Sequence, residues 1–185
     1  MDFVSTDLAG VTLIYPQIHP DKRGFFAEVY RTDQLVQFGI RDKFVQENIS
    51  SSQKGTLRGL HWQSPPHAQA KLVRVLRGKI FDVVVDLRKN SKTFGQWRGF
   101  ELDAASLRML YVPEGLAHGF LALEDHTEVL YKVSRYYAAM TERGIAWNDP
   151  VLNIEWPKLN QSPLVSPKDQ RHPRFAEIQN QLEFV

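Results

Sequence analysis

The sequence predicts an all-β, mainly antiparallel fold, a sandwich or barrel with a few short helices. Ten short runs rich in β-branched and aromatic residues are separated by Gly, Pro, Asn and Asp breaks along the 185 residues. One of these runs divides clearly into two faces on a period of two, and helical spacing is rare elsewhere.

Taken in order, the expected strands are 11–15, 25–30, 44–49, 56–62, 71–77, 79–87, 97–103, 108–112, 117–123 and 127–134. The clearest is KIFDVVVDLR, 79–88. Phe81, Val83, Val85 and Leu87 share one face and form core; Ile80, Asp82, Val84 and Asp86 share the other. That second face carries two carboxylates and must meet water, a ligand or cationic partners. LRGK, just before it, reads as a tight hairpin turn around Gly78. Thr32 followed by DQLVQFG supplies an N-cap, an acidic first turn and a glycine stop, so a short helix is expected over 33–38. A second is expected near 174–182. Between them SPKDQRHP, 166–173, reads as a polar loop, the kind of segment that often carries function on a β scaffold.

Composition narrows the function. No repeat, low-complexity tract or linker divides the chain, so a single domain over 1–185 is expected. Hydrophobic residues make up 43% and charged residues 24%, ordinary for a globular protein. A net charge of +2 with no basic stripe argues against a nucleic-acid partner, yet a small anionic ligand needs only three or four local cations. The absence of cysteine excludes disulfides, thiolate catalysis and zinc–thiolate sites. The N-terminus does not read as a signal peptide and no stretch approaches a membrane span, so a cytoplasmic protein without a membrane partner is expected.

TLRGLHWQSPPHAQAKLVRVLRG, 56–78, concentrates Arg58, His61, His67 and Lys71 in an apolar setting. A metal reading of His61 is weak: Gln63 stands where a second ligand would be wanted, and no Asp or Glu occurs from 62 through 81. Taken alone, His61 reads more readily as a hydrogen-bonded core histidine. His126 reads as a turn residue, His19 and His172 as loop residues, and His67 as a surface histidine. Acid–base work would need a base, an orienting group, a cation at the developing charge and an acid. His61, Asp169, Lys71 and Tyr131 offer these types, although spacing alone favours a core role for Tyr131 and does not bring the four together. No nucleophile elbow, dinucleotide fingerprint or phosphate loop is present.

Eight motifs then appear in series: DKRGFFAEVY (21–30), FVQENIS (44–50), LRGLHWQ (57–63), the run 69–97, VPEGLAHGFLAL (112–123), LYKVSRYY (130–137), WNDP (147–150) and SPKD (166–169). In this series the chain closely resembles the dTDP-4-dehydrorhamnose 3,5-epimerase family, over roughly residues 3 to 175. The resemblance implies a cupin-type β-jelly roll, a homodimer, no metal or other cofactor, and a dTDP-sugar substrate inverted at C3 and C5. It further implies that His61 is the proton acceptor, Asp169 its paired carboxylate, Tyr131 the proton donor, and Lys71 the cation near the C4 oxygen. His118 matches a substrate contact. Arg23, Glu28, Gln46 and Asn48 match positions holding the dTDP portion, and Arg58 a diphosphate contact; Glu142 and Lys168 match further binding positions. Phe25 and Phe26 fit either the thymine or the core. Relatives that invert one centre, or that move the ketone, share the fold; a binding module without catalysis and a metal-dependent cupin are the readings from other classes. Trp62 stands where Phe or Tyr is frequent, and Ala139 where proline is frequent after the Tyr–Tyr pair.

One geometric difficulty attends the central motif. On a regular strand Arg58 and His61 point to opposite faces, so a shared site requires a bulge, for which Gly59 is the candidate.

Overall fold

The computed structural model describes residues 1–184 and is built almost wholly of antiparallel strands. The first sheet contains β1 (Asp2–Ser5), β2 (Thr12–Tyr15), β5 (Gln46–Ser52), β7 (Lys71–Arg77), β10 (Met109–Val112) and β12 (Thr127–Val133), ordered β1-β2-β10-β7-β12-β5. The second contains β6 (Thr56–Gln63), β8 (Lys79–Asp86), β9 (Trp97–Asp103), β11 (Leu116–Ala122) and β13 (Glu142–Gly144), ordered β13-β6-β11-β8-β9. A two-residue strand, β14 (Leu164–Val165), runs parallel to the start of β6. β3 (Ile18–Asp21) and β4 (Gly24–Ala27) form a separate hairpin. Helices α1 (Thr32–Phe38) and α2 (Phe175–Ile178) are short, and the segment Gln179–Gln181 continues α2 as a 3₁₀ turn.

Three apolar layers hold this arrangement. Between the sheets, Val73, Val75, Leu110 and Val129 meet Ile80, Val84, Leu116 and Phe120. On the outer face of the second sheet, Leu60, Trp62, Val83, Val85 and Leu87 are covered by Ile145, Leu152, Phe175, Leu182 and Phe184 from the C-terminal third. On the outer face of the first, Ile14, Leu72 and Met109 receive Leu35 and Ile40 from α1 and its exit. The face of β8 expected to be core is therefore buried under the C-terminal segment, and its other face lies between the sheets. Asp82 and Asp86 on that inner face are fully buried and find partners there: the His118 ring for the first, the Arg88 guanidinium for the second. The Ser91 and Thr93 hydroxyls also donate to Asp86 Oδ2.

All ten expected strands exist, with ends shifted. The strand expected over 25–30 stops at Ala27, and that expected over 44–49 begins at Gln46 and runs on to Ser52. β1, β3, β13 and β14 were not foreseen; each has at most four residues, too few for an alternation to register. Thr32 lies inside the first turn of α1, with Arg31 as the N-cap, whereas Gly39 ends the helix at φ +102° as expected. The hairpin expected at Gly78 is not one. β7 pairs with β10 and β12 and β8 with β9 and β11, so the chain crosses from one sheet to the other there. Glycine is still required. Its φ is +77°, and a Cβ would sit 2.4 Å from Thr127 Oγ1.

Candidate active site

A cavity of about 410 Å³ opens between the two sheets, walled by β5, β12, β6 and β11 and closed at one side by the loop 164–169. Nine of the residues singled out in the sequence line it: Asn48, Arg58, His61, Lys71, His118, Tyr131, Glu142, Lys168 and Asp169. Arg58 and His61 share the cavity because β6 carries a bulge. His61 pairs with His118 of β11 and Arg58 with Phe120, so β6 spends one residue more than its partner between these two pairs. Gly59 occupies the extra position at φ +123°, and a Cβ there would lie 2.5 Å from the Gly119 Cα. Only glycine fits that approach.

His61 combines the two readings left open for it. Its Nε2 lies 2.8 Å from Asp169 Oδ1, so the ring is hydrogen-bonded, yet 30% of the side chain remains open to the cavity. An ionised Asp169 can only accept, which places the Nε2 proton on that bond and leaves Nδ1 as a free acceptor. Asp169 is buried, and burial by itself raises a carboxyl pKa. The nearby His172 and His61, with the Gly59 N–H donating to Oδ2 at 3.2 Å, overcome this and hold it well below the usual carboxylate range. The 3₁₀ turn Asp169–Arg171, fastened by the Ser166 hydroxyl accepting from the Asp169 N–H, sets the carboxylate in place.

Across the cavity the Lys71 ammonium donates to the His61 carbonyl at 3.2 Å. Burial lowers its pKa to about 8, against the opposing fields of Asp82 and Glu142. Tyr131 is raised by burial and by Glu142, with Arg58 opposing; its phenol keeps its proton at neutral pH and can donate it. Behind the cavity His118 Nε2 sits 2.9 and 3.0 Å from the two Asp82 oxygens. At the rim Glu142 accepts from Tyr137 at 2.7 Å and pairs with Lys168. Arg58, also in the cavity wall, donates to Ser52 Oγ and the Ser51 carbonyl, which hold its guanidinium in place.

Three site residues escaped the sequence reading. Asp82 is legible in principle, because the period of β8 already required water, a ligand or a cationic partner for the carboxylates on its face. Tyr137 gave no signal beyond its place in a Tyr–Tyr pair. His172, expected to be an ordinary loop histidine, has its Nε2 3.4 Å from Asp169 Oδ1 and its ring edge-on to His61 at 5.3 Å; only the folding of the C-terminal loop reveals this. Gln63 is buried and accepts from the Thr141 hydroxyl and the Ala138 N–H, which holds the loop around Ala139 in place without a proline.

Gln46, Arg23 and Glu28 are not among the cavity-lining residues. Gln46 donates to Asn48 Oδ1 at 2.9 Å and steadies it. Arg23 and Glu28 belong to the β3–β4 hairpin and its exit, where the Arg23 side chain is 90% exposed and pairs with Asp21. Phe25 and Phe26 on the same hairpin are exposed as well, so the core reading of these two aromatics is corrected.

The model of the dTDP-4-dehydrorhamnose 3,5-epimerase family matches residues 5–177. The chain belongs to this family. A dTDP-4-dehydrorhamnose 3,5-epimerase of Shigella flexneri is 46% identical over 96% of this chain and 97% of its own length. The crystal structure of dTDP-6-deoxy-D-glucose-3,5-epimerase from Legionella pneumophila, in complex with dTDP-4-keto-L-rhamnose, superposes with a TM-score of 0.94 at 41% identity, covering 100% of this chain and 98% of that one. A 3'-monoepimerase of Streptomyces bikiniensis in complex with dTDP-quinovose superposes at 0.88 with 35% identity, over 95% and 89% of the two chains. The two sheets described above are accordingly the cupin-type jelly roll of dTDP-4-dehydrorhamnose 3,5-epimerases.

Proposed function

We infer that the chain is a dTDP-4-dehydrorhamnose 3,5-epimerase, converting dTDP-4-dehydro-6-deoxy-D-glucose to dTDP-4-dehydro-β-L-rhamnose. The observation that supports this most directly is the oriented base: His61 with Asp169 behind it, in one cavity with a protonated phenol and a buried ammonium. C3 and C5 of the sugar flank the C4 ketone, so the enolate resonance of that ketone acidifies both C–H bonds. His61 Nδ1 removes the proton, and Asp169 stabilises the imidazolium so formed. Lys71 lies at the C4 oxygen, where the enolate charge develops. Tyr131 returns a proton from the opposite face, and each centre inverts.

Arg58, Asn48 and Lys168, with Glu142 and His118, hold the nucleotide sugar, the guanidinium fork of Arg58 suiting diphosphate oxygens. Gln46 acts through Asn48. Arg23 and Glu28 act on the dTDP portion bound by a second copy: the enzyme works as a homodimer in which the exposed β3–β4 hairpin reaches the neighbouring cavity. Supporting this are the exposed Phe25 and Phe26 on the hairpin and the unpaired outer edge of β5, where Ile49 is exposed. The chain acts as one domain over 1–185, without a cofactor, in the cytoplasm. Among the described residues no helix is long and apolar enough to cross a membrane.

Proton NMR of dTDP-4-dehydro-6-deoxy-D-glucose in D₂O tests the reading: deuterium enters at both C3 and C5. Entry at one carbon alone would favour the second reading, a mono-epimerase, which the similarity to the Streptomyces bikiniensis enzyme keeps open. Absence of exchange from bound substrate would overturn both. Sedimentation velocity tests the dimer, and Arg23→Ala should weaken dTDP binding although Arg23 lies outside the cavity of its own chain.

A further inference from the structure

The sequence argued against a metal because no carboxylate lies near His61, but folding supplies one from 108 residues away and a second histidine with it. We propose that His61, Asp169 and His172 form a binding site for a divalent transition ion of the zinc type, and that filling it switches the base off. The switching half rests on the function proposed above; the binding half does not.

The donor atoms of the three side chains all lie within 4.8 Å of one another. Asp169 Oδ1 is 2.8 Å from His61 Nε2 and 3.4 Å from His172 Nε2. Tetrahedral zinc with bonds of about 2.0–2.1 Å separates its ligands by about 3.3 Å, so small shifts of these atoms would admit the ion. His172 supplies the independent sign of a ligand. Its Nε2 is buried and makes no hydrogen bond, its orientation toward Asp169 falling short of one. What fixes the ring is packing. It stands over Gly144 of β13 so closely that a Cβ there would lie 2.3 Å from Nε2. A buried, pinned imidazole nitrogen without a hydrogen bond, 3.4 Å from a carboxylate oxygen, is poised for a cation. Two imidazoles with one carboxylate, and a further position open through the cavity side of His61, suit zinc, cobalt or nickel. They offer too few oxygens for magnesium or calcium.

The proton balance explains the switch. Each imidazole can carry its single proton on Nδ1 while Nε2 serves as a ligand. His61 holds its proton on Nε2; when the metal takes that nitrogen, the proton moves to Nδ1 of the same ring. No proton need leave the protein, but Nδ1 changes from acceptor to donor and can no longer remove a proton from the sugar.

The test begins with binding. The chelator-stripped protein is titrated with zinc chloride against a chromophoric chelator, beside His172→Gln and His61→Ala, with circular dichroism to show that each variant is folded. One zinc per chain is expected, bound at least tenfold more weakly by both variants. Failure of the wild type to compete for zinc, or unchanged affinity in the two folded variants, would overturn the site. Turnover is read second. One equivalent of zinc should abolish it, a chelator should restore it, and magnesium should leave it untouched, while His172→Gln should keep its own metal-free rate in the same zinc concentration. Zinc bound at the expected affinity with full turnover would leave the site standing and overturn the switch, together with the placing of the base at His61.

Discussion

Two histidines on adjacent strands, His118 of β11 and His61 of β6, each face a carboxylate, and the two pairs differ in almost everything but chemistry. His118 and Asp82 sit on β11 and β8, both buried, two register steps apart in one sheet. His61 takes its carboxylate from the loop after β14, and 30% of its side chain is open to the cavity. The first pair is a product of strand register; the second exists only if the C-terminal third docks. Burial follows the same division. A pair almost wholly buried must be satisfied for the core to close, even where the His118 ring also forms part of the cavity wall, whereas the more open His61 can offer its spare nitrogen to a substrate. Identical residue types thus serve the core and the cavity wall in one place and acid–base work in the other.

Replacing each histidine separates the two roles. His61→Ala should lower turnover by about 10²–10⁴-fold, the usual worth of a positioned base, while dTDP affinity, followed by calorimetry, stays close to wild type. Near-normal turnover would place the base elsewhere. His118→Ala should act first on folding: it leaves Asp82 buried without its hydrogen-bond partner, a loss of about 1–3 kcal/mol that chemical denaturation would detect. Should His118→Ala instead unfold at the wild-type denaturant concentration, the division drawn between the pairs would be wrong. Arg58→Ala removes a phosphate contact and should weaken dTDP binding by about 10–100-fold, corresponding to about 1.5–3 kcal/mol for a charge-assisted hydrogen bond. The smallest effect is one of pH. Because burial brings Lys71 down to about 8, kcat/KM should fall as pH rises through that value and the ammonium at the C4 oxygen is lost. Lys71→Arg should remove this limb while lowering the rate. The stability contribution runs the other way: between about 8 and about 10.4 the unfolded chain holds the proton that the folded chain has shed, so this group adds stability as pH increases across that window.

The positions of the strands and the burial of alternate residues were legible in the sequence because they depend on neighbours two apart. The alternation of β8 even demanded partners for Asp82 and Asp86, and folding provided His118 and Arg88. Gly59 was legible too, as soon as Arg58 and His61 were required in one cavity. Gly78 shows the limit: its local conformation was foreseen, but whether the strands beside it pair with each other is decided by partners that lie far along the chain.

By itself, then, the sequence determined an antiparallel β fold, the motifs that ally it to a sugar-nucleotide epimerase family, and the residue types for acid–base chemistry. The tertiary structure decided which of those residues meet. It brought Asp169 to His61 across 108 positions, set His172 beside them, and left Arg23 and Glu28 outside the cavity of their own chain. The reason is physical. Periodicity and turn chemistry act over a few residues and leave a mark in the string, whereas the docking of a loop onto a sheet is fixed by long-range packing and hydrogen bonds that have no local pattern.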